Sequence, residues 1–280
     1  MFLIMKVKIL TYLLFMIIFN SCKDEDSGMD AKEEEPQIVL EPQEPKLVWS
    51  DEFDVDGLPD YTKWTFDVGG HGFGNRELQY YTEKNLENVR IENGVLIIEA
   101  LKKDFEGNQY TSGKIWTKDR RSWSTGRIEA RIKLPSGKGT WPAFWMLPQK
   151  TNFSWPLDGE IDIMEHVGYA PDSIYGTIHT QAYNHTIGTQ KGGKIGIKDV
   201  EKDFHIYAIE WTNKGIDWYV DDEKYYSLPT EKTYEKWPFS TNSYFVILNL
   251  AVGGTWGGAQ GVDTDIWPQK MEVDYVRVYQ

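Results

Sequence analysis

The segment DGEIDIMEHVG, Asp158 to Gly168, carries four acidic side chains within eight positions, and isoleucine, methionine and valine fill most of the remainder. Such apolar content belongs to a buried strand, whereas clustered carboxylates suit the acid, base and nucleophile work of cleaving a glycosidic bond. Side chains alternate along a strand, so Glu160 and Asp162 share a face with Asp158 while Ile161 and Ile163 take the other. Glu165 falls on the wrong face by this count. A one-residue bulge at Ile163 or Met164 returns it to the face of Glu160, and bulges are frequent beside active sites, where they re-aim a side chain.

With one residue absorbed, Glu160 and Glu165 lie about four strand rises apart, or ~13 Å between Cα atoms at ~3.3 Å per residue. Each glutamate reaches inward by ~3.5 to 4 Å, leaving a gap near the ~5 to 5.5 Å that separates the carboxyl groups of a retaining glycosidase. Asp162 lies between them, and repulsion is expected to keep at least one of the three protonated at neutral pH, which supplies the proton an acid catalyst needs. A solvated acidic face on an edge strand is the competing reading. The flanks favour a glycan cleft: TWPAFWMLP (140–148) brings Trp141 and Trp145 close in sequence, and NLAVGGTWGG (249–258) adds Trp256 on a glycine-rich loop. Exposed indole faces bind flat apolar surfaces such as sugar rings.

The elements that position these residues read as short alternating strands: GRIEARIKL (126–134), HIYAIEW (205–211), IDWYVDD (216–222) and MEVDYVRVY (271–279), separated by Gly, Asn, Asp and Pro. No long segment keeps a 3.6-residue period, and no internal repeat is evident, which argues against a propeller. The pattern implies one all-β domain, an antiparallel sandwich or barrel, over 47–280. The 280 residues are 40% hydrophobic, and 43 acidic against 30 basic residues give a formal charge of -13, so nucleic acid is not an expected partner.

Residues 1–21 pair Lys6 and Lys8 with an apolar run from Ile9 to Phe19, too short for an ordinary transmembrane helix, and read as an export signal. The run ends at Cys22, the single cysteine, so no internal disulfide can form. A cysteine at that place resembles a bacterial lipobox, which implies lipidation of Cys22, and Lys23-Asp24-Glu25-Asp26 resembles the surface-export signal of Bacteroidetes-type lipoproteins. Residues 22–46, rich in Asp, Glu and Pro, read as a tether. The expected location is the outer face of the bacterial outer membrane, with the lipid as the membrane contact and a monomer as the working state.

Several ordered blocks, GNRELQYYT (74–82), STGRIEARIKLPSGKGTWPAFWMLP (124–148), DGEIDIMEHVG, YGTIHT (175–180), FHIYAIEWT (204–212), NLAVGGTWGG and the closing MEVDYVRVYQ, make the chain closely resemble glycoside hydrolase family 16, in particular its bacterial laminarinase-like β-1,3-glucanases. The resemblance runs from about Leu47 to Gln280. It implies a β-jelly-roll sandwich of two antiparallel sheets with a concave substrate cleft. By the E-x-D-x-x-E pattern it implies Glu160 as nucleophile, Glu165 as general acid and base, and Asp162 as the helper that tunes the nucleophile. Asn75, Glu77, Arg127 and Glu129 match polar cleft positions, although Arg127 and Glu129 also read as a cross-strand pair. His179 resembles a histidine near the acid catalyst, and Trp141, Trp145 and Trp256 match substrate platforms. Glu52, the carbonyl of Gly94 and Asp274 match a structural calcium site on the convex side, oxygen ligands suiting a hard cation. No organic cofactor is implied.

The function implied is retaining endo-hydrolysis of laminarin-like β-1,3-glucan or mixed-linkage β-glucan. Alternatives are an agarase or carrageenase of the same family, for which Arg120 and Arg121 supply cations, and a surface glycan-binding lipoprotein without catalysis. Trp116, Arg120, Arg121 and Trp123 together suggest an aromatic and basic rim of unassigned role.

Overall fold

The computed structural model describes residues 45–280. The signal segment, Cys22 and the tether up to residue 44 lie outside these residues. The fold takes hold one position earlier than the proposed boundary at 47: Lys46 exchanges backbone hydrogen bonds with Gln280 at 2.8 and 2.9 Å.

Strands follow one another as β1 (Leu47–Asp51), β2 (Thr65–Phe66), β3 (Gln79–Tyr81), β4 (Val89–Glu92), β5 (Val95–Ala100) and β6 (Tyr110–Ser112). The middle of the chain forms β7 (Lys114–Trp116), β8 (Gly126–Lys133), β9 (Thr140–Pro148), β10 (Glu160–Glu165), β11 (Ser173–His179) and β12 (Lys191–Gly196). Then come β13 (His205–Thr212), β14 (Gly215–Val220), β15 (Glu223–Pro229), β16 (Tyr244–Val252) and β17 (Gln269–Tyr279). One antiparallel sheet has the order β15-β14-β13-β8-β17-β5-β4, with β1 also on β17, and the other has the order β12-β11-β10-β9-β16-β7-β2. Their inner faces share one core, giving the jelly-roll sandwich.

Alternation explains which side chains enter that core. On β8, Ile128, Ala130 and Ile132 are fully buried, while Arg127, Glu129, Arg131 and Lys133 occupy the other face. That face is the outside of the sheet opposite the cleft, which corrects the placement of Arg127 and Glu129 among substrate-binding residues. Arg127 pairs with Glu129 on its own strand at 2.7 Å and with Glu210 on β13 at 3.3 Å. These belong to an outward ladder with Arg131–Asp274 and Lys133–Glu272.

The central strand β16, YFVILNLAV, is buried along its whole length. Tyr244, Val246, Leu248, Leu250 and Val252 join the core, and the alternate residues Phe245, Ile247, Asn249 and Ala251 lie beneath the cleft. A strand covered on both faces reads as a continuous apolar run, which is why no alternation marks it in the sequence.

Candidate active site

The register of the cleft sheet sets functional side chains in rows that cross the strands. One row runs Trp116, Ile247, Trp145, Asp162, Thr177 and Gly192; the next runs Lys114, Asn249, Ala143, Glu165, Tyr175 and Lys194. Glu160 stands opposite His179 beside them. Asp162 and Glu165 enter adjacent rows through a register shift on β10: Asp162 pairs with Trp145 and Met164 with Phe144, so Ile163 has no partner of its own on β9. Ile163 and Met164 are both buried, and Glu165 emerges on the face of Glu160 and Asp162.

Gly159 starts this strand with φ 86°, and a Cβ there would lie 2.7 Å from both Pro238 and the Tyr244 hydroxyl. Asp158, the fourth acid of the segment, leaves the cleft. Its carboxylate accepts from Lys150 Nζ at 2.5 Å, Tyr234 Oη at 2.6 Å and the Ser154 amide at 2.7 Å, tying down the preceding loop.

Each glutamate is anchored by an indole. Trp155 Nε1 donates to Glu160 Oε2 at 3.0 Å, and Trp141 Nε1 donates to Glu165 Oε1 at 3.0 Å. Burial, then the charge of Glu165, pushes Glu160 up to about 8, and burial pushes Glu165 up to about 7. Asp162 is also pushed well upward, through burial first and the charges of Glu160 and Glu165 next. A hydrogen bond between Asp162 and Glu160 raises the first and lowers the second, so a proton held on Asp162 favours the Glu160 carboxylate. The three titrate as a unit that carries fewer than three charges at neutral pH.

His179 Nε2 lies 3.4 Å from Asp162 Oδ2 and 3.8 Å from Glu160 Oε1. Burial, reinforced by His185, holds the imidazole down at about 4, so it meets the carboxyl groups as a neutral ring. Donor atoms of Glu160, Asp162 and His179 lie within 4.8 Å of one another, close enough to ligate a cation.

A cavity of about 450 Å³ opens beside the carboxylates and is lined by Asn75, Glu77, Trp141 and Trp145, among others. A hydrogen-bonded chain fixes its floor: Trp145 Nε1 to Asn249 at 2.7 Å, Asn249 to Tyr81 at 3.1 Å, and Tyr81 to Glu77 at 3.2 Å. Asn75 also donates to Glu77, at 3.3 Å. Burial raises Glu77 above the usual carboxylate range. Trp256 stands behind this wall, edge-on to Trp141 at 5.5 Å and to Tyr175 at 5.1 Å.

Sequence reasoning missed Trp155, Lys114, Asn249 and His185, all of which line the cavity. Trp155 had a local signal, the Trp-Pro pair immediately before the acidic strand. Lys114 lies over Trp145 at 5.1 Å and pairs with Asp67 at 2.9 Å; only the β7–β16 ladder brings it near β10. The suggested rim divides. Trp116 lies on the cleft sheet, whereas Trp123 is buried against Trp49 with ring centroids 5.2 Å apart, so it is a core residue. Arg120 donates to the carbonyl of Tyr61 at 2.9 Å and Arg121 to that of Arg120 at 3.0 Å, and neither lines the cavity.

For calcium, the carboxylates offered as ligands are engaged by guanidinium groups. β5 leaves β17 at Leu96 opposite Val273, and β1 joins it with Asp51 opposite Val276, so the segments that carry Gly94 and Glu52 flank the stretch of β17 around Asp274. Both Glu52 oxygens, however, accept from Arg277 at 3.0 and 2.8 Å, and Asp274 accepts from Arg131 at 2.7 Å. A cation there would compete with two guanidinium groups.

The profile of Glycosyl hydrolases family 16 matches residues 75–277. A beta-glucanase of Rhodothermus marinus is 54% identical over 244 residues, covering 84% of this chain and 85% of the relative. The X-ray structure of the laminarinase from Rhodothermus marinus superposes with a TM-score of 0.83 at 54% identity, covering 85% of this chain and 98% of that one. The crystal structure of SCLam, described as a non-specific endo-beta-1,3(4)-glucanase of family 16, has a TM-score of 0.81 at 46% identity, covering 85% of this chain and 92% of that one.

Proposed function

This chain belongs to glycosyl hydrolases family 16, and from that premise we propose that it is a retaining endo-β-1,3-glucanase that cleaves laminarin-like and mixed-linkage β-glucans. The observation that carries the reading is the bulged strand β10, which turns Glu160, Asp162 and Glu165 onto one face of an aromatic cavity, with a separate indole holding each glutamate.

In the first step Glu160 attacks the anomeric carbon as a carboxylate, and Glu165, carrying one of the protons that the buried cluster retains, gives that proton to the departing oxygen. Asp162 keeps its own proton and hydrogen-bonds Glu160, favouring the ionised nucleophile before attack. Glu165, now ionised, then takes a proton from water as that water displaces Glu160. Trp141 and Trp155 fix the two carboxyl groups so that neither must reorganise between steps.

The alternatives lose their specific supports. Arg120 and Arg121, the cations offered for a sulfated galactan, are engaged with backbone carbonyls outside the cavity. A non-catalytic glycan binder has no use for three buried carboxyl groups whose ionisation is suppressed. Reducing-sugar release from laminarin, mixed-linkage glucan, agar and carrageenan tests the assignment. Release from the two glucans should dominate, and greater release from agar would overturn it.

The reading extends to two features outside catalysis. A structural calcium ion at Glu52, Gly94 and Asp274 is supported by the approach of β1 and β5 to neighbouring stretches of β17. Lipidation of Cys22, with a surface-exposed outer-membrane location, rests on the sequence pattern of residues 1–26. Cys22→Ala should release the protein from membranes, and a variant that fractionates like the parent would require another anchor.

A further inference from the structure

Glu160 and Asp162 precede the bulge of β10 and Glu165 follows it, so the geometry between nucleophile and acid depends on how firmly the strand is held where its register breaks. On the side of β11, Asp162 pairs with Thr177 and Glu165 with Tyr175, which sets two residues, Ile163 and Met164, against the single Gly176. Such a mismatch disrupts the ladder locally, and buried backbone groups that leave a ladder take partners from elsewhere.

The partner here comes from the opposite sheet. Alternation on β14 points Ile216, Trp218 and Val220 into the core, and Trp218 is fully buried. Its Nε1 donates to the backbone carbonyl of Asp162 at 2.9 Å. That carbonyl belongs to the peptide between Asp162 and Ile163, the plane at which β10 departs from its register. We infer that Trp218 is a positioning residue for the reaction: by clamping the Asp162 carbonyl from across the core, it sets where Glu165 stands relative to Glu160. The inference rests on the retaining-glycosidase reading, with Glu165 as the acid.

Gly176 makes the clamp possible. A Cβ at this position would lie 2.3 Å from Trp218 Cδ1 and 2.7 Å from its Nε1, so the residue opposite the bulge must lack a side chain for the indole to pass beneath β11 and reach β10. The strand beside Trp218 is irregular too. Trp218 pairs with Tyr226 and Tyr219 with Lys224, which leaves Tyr225 as an extra residue of β15, and the Tyr225 hydroxyl lies 2.5 Å from the same Cβ position. A bulge in each sheet thus meets the other at Gly176, with the indole between them and Tyr226 packed on it at 5.4 Å between ring centroids. A phenylalanine ring would fill much of this space. The indole adds one N–H, costly to bury unpaired, and spends it on the Asp162 carbonyl.

The test separates positioning from a general loss of packing. Cleavage of laminarin needs the proton of Glu165, whereas a dinitrophenyl β-glycoside departs without one, so kcat/KM on the latter reports the attack by Glu160. Trp218→Phe removes the donor and keeps a ring. Its kcat on laminarin should fall on the order of 10- to 100-fold with KM little changed, the scale of a misplaced catalytic group, while kcat/KM on the dinitrophenyl glycoside stays within about threefold of the parent. Gly176→Ala keeps the indole but displaces it, and should give the same selective loss, so it decides the matter if Trp218→Phe does not fold. Both changes act on one contact, and the double variant should therefore be no worse than the more impaired single variant. Trp211→Phe, at a buried indole of β13 that packs on Tyr244, controls for lost core volume and should cut both substrates like the parent. Equal losses on the two substrates, an unchanged kcat on laminarin in folded variants, multiplied losses in the double variant, or the same selective loss in Trp211→Phe overturns the proposal. A parent enzyme that leaves laminarin uncut overturns instead the reading on which it rests.

Discussion

Trp141 donates its indole N–H to Glu165 at 3.0 Å, so the side chain that walls the cavity also orients the carboxyl group proposed as the acid. That hydrogen bond lowers the Glu165 pKa against the larger upward push of burial. Trp141→Phe keeps an aromatic ring against Trp256 and removes the donor. The pKa of Glu165 should rise, and the alkaline limb of the kcat/KM profile, where the acid loses its proton, should move to higher pH. A limb that stays in place or moves downward would show that the contact does not tune Glu165.

The suppressed ionisation of the carboxyl cluster has a stability counterpart. Glu160 moves from 4.5 to about 8 on folding, so between those values the folded state binds more protons than the unfolded state. The contribution is fully present below about pH 4.5 and is lost as pH rises through about 8. Glu160→Gln cannot ionise, and it should be more stable than the parent at pH 9, by up to ~5 kcal/mol for a displacement from 4.5 to about 8 at ~1.4 kcal/mol per pH unit. The gap should close at pH 4. Melting curves at the two pH values check this, and an equal gap at both would mean that packing, not charge, sets the difference.

Much of this site is legible in the sequence because alternation is a local property. Glu160 and Asp162 fall on one face by parity, and the misfit of Glu165 itself signals the bulge at Ile163. Arg127 and Glu129 show where locality ends. Their parity shows that they share a face, but which side of which sheet they occupy depends on β8 lying between β13 and β17, far away in sequence. Lys114 and Asn249 enter the cavity only through pairing across more than 130 intervening residues, as their register shows. Trp116 and Trp123 sit in one stretch of similar composition, yet one faces the cleft sheet and the other packs under Trp49, because the chain turns between them. Composition carries no record of that turn.

Calcium at the β1–β5 junction would bind the folded chain and not the unfolded one. A chelator should therefore lower the melting temperature by several degrees while leaving laminarin hydrolysis intact, since the site lies on the sheet opposite the cleft. Identical melting curves in chelator and in calcium would remove the ion and leave Arg277 and Arg131 as the natural partners of Glu52 and Asp274.

The division of labour between Glu160 and Glu165 is tested most directly by the anomer formed when azide rescues each variant. Glu165→Ala, given an aryl β-glycoside whose leaving group needs no proton, should still form the glycosyl-enzyme on Glu160 and then stall without a base to activate water. Azide needs no base, and its attack should give the β-glycosyl azide after two inversions. Glu160→Ala cannot form that intermediate, so azide entering the vacated carboxylate position should give the α-azide after one inversion. Proton NMR of the two products reads the outcome. A β-azide from Glu165→Ala with an α-azide from Glu160→Ala is the result predicted, and exchanged anomers, or full activity in both variants without azide, would contradict the assignment of the acidic strand.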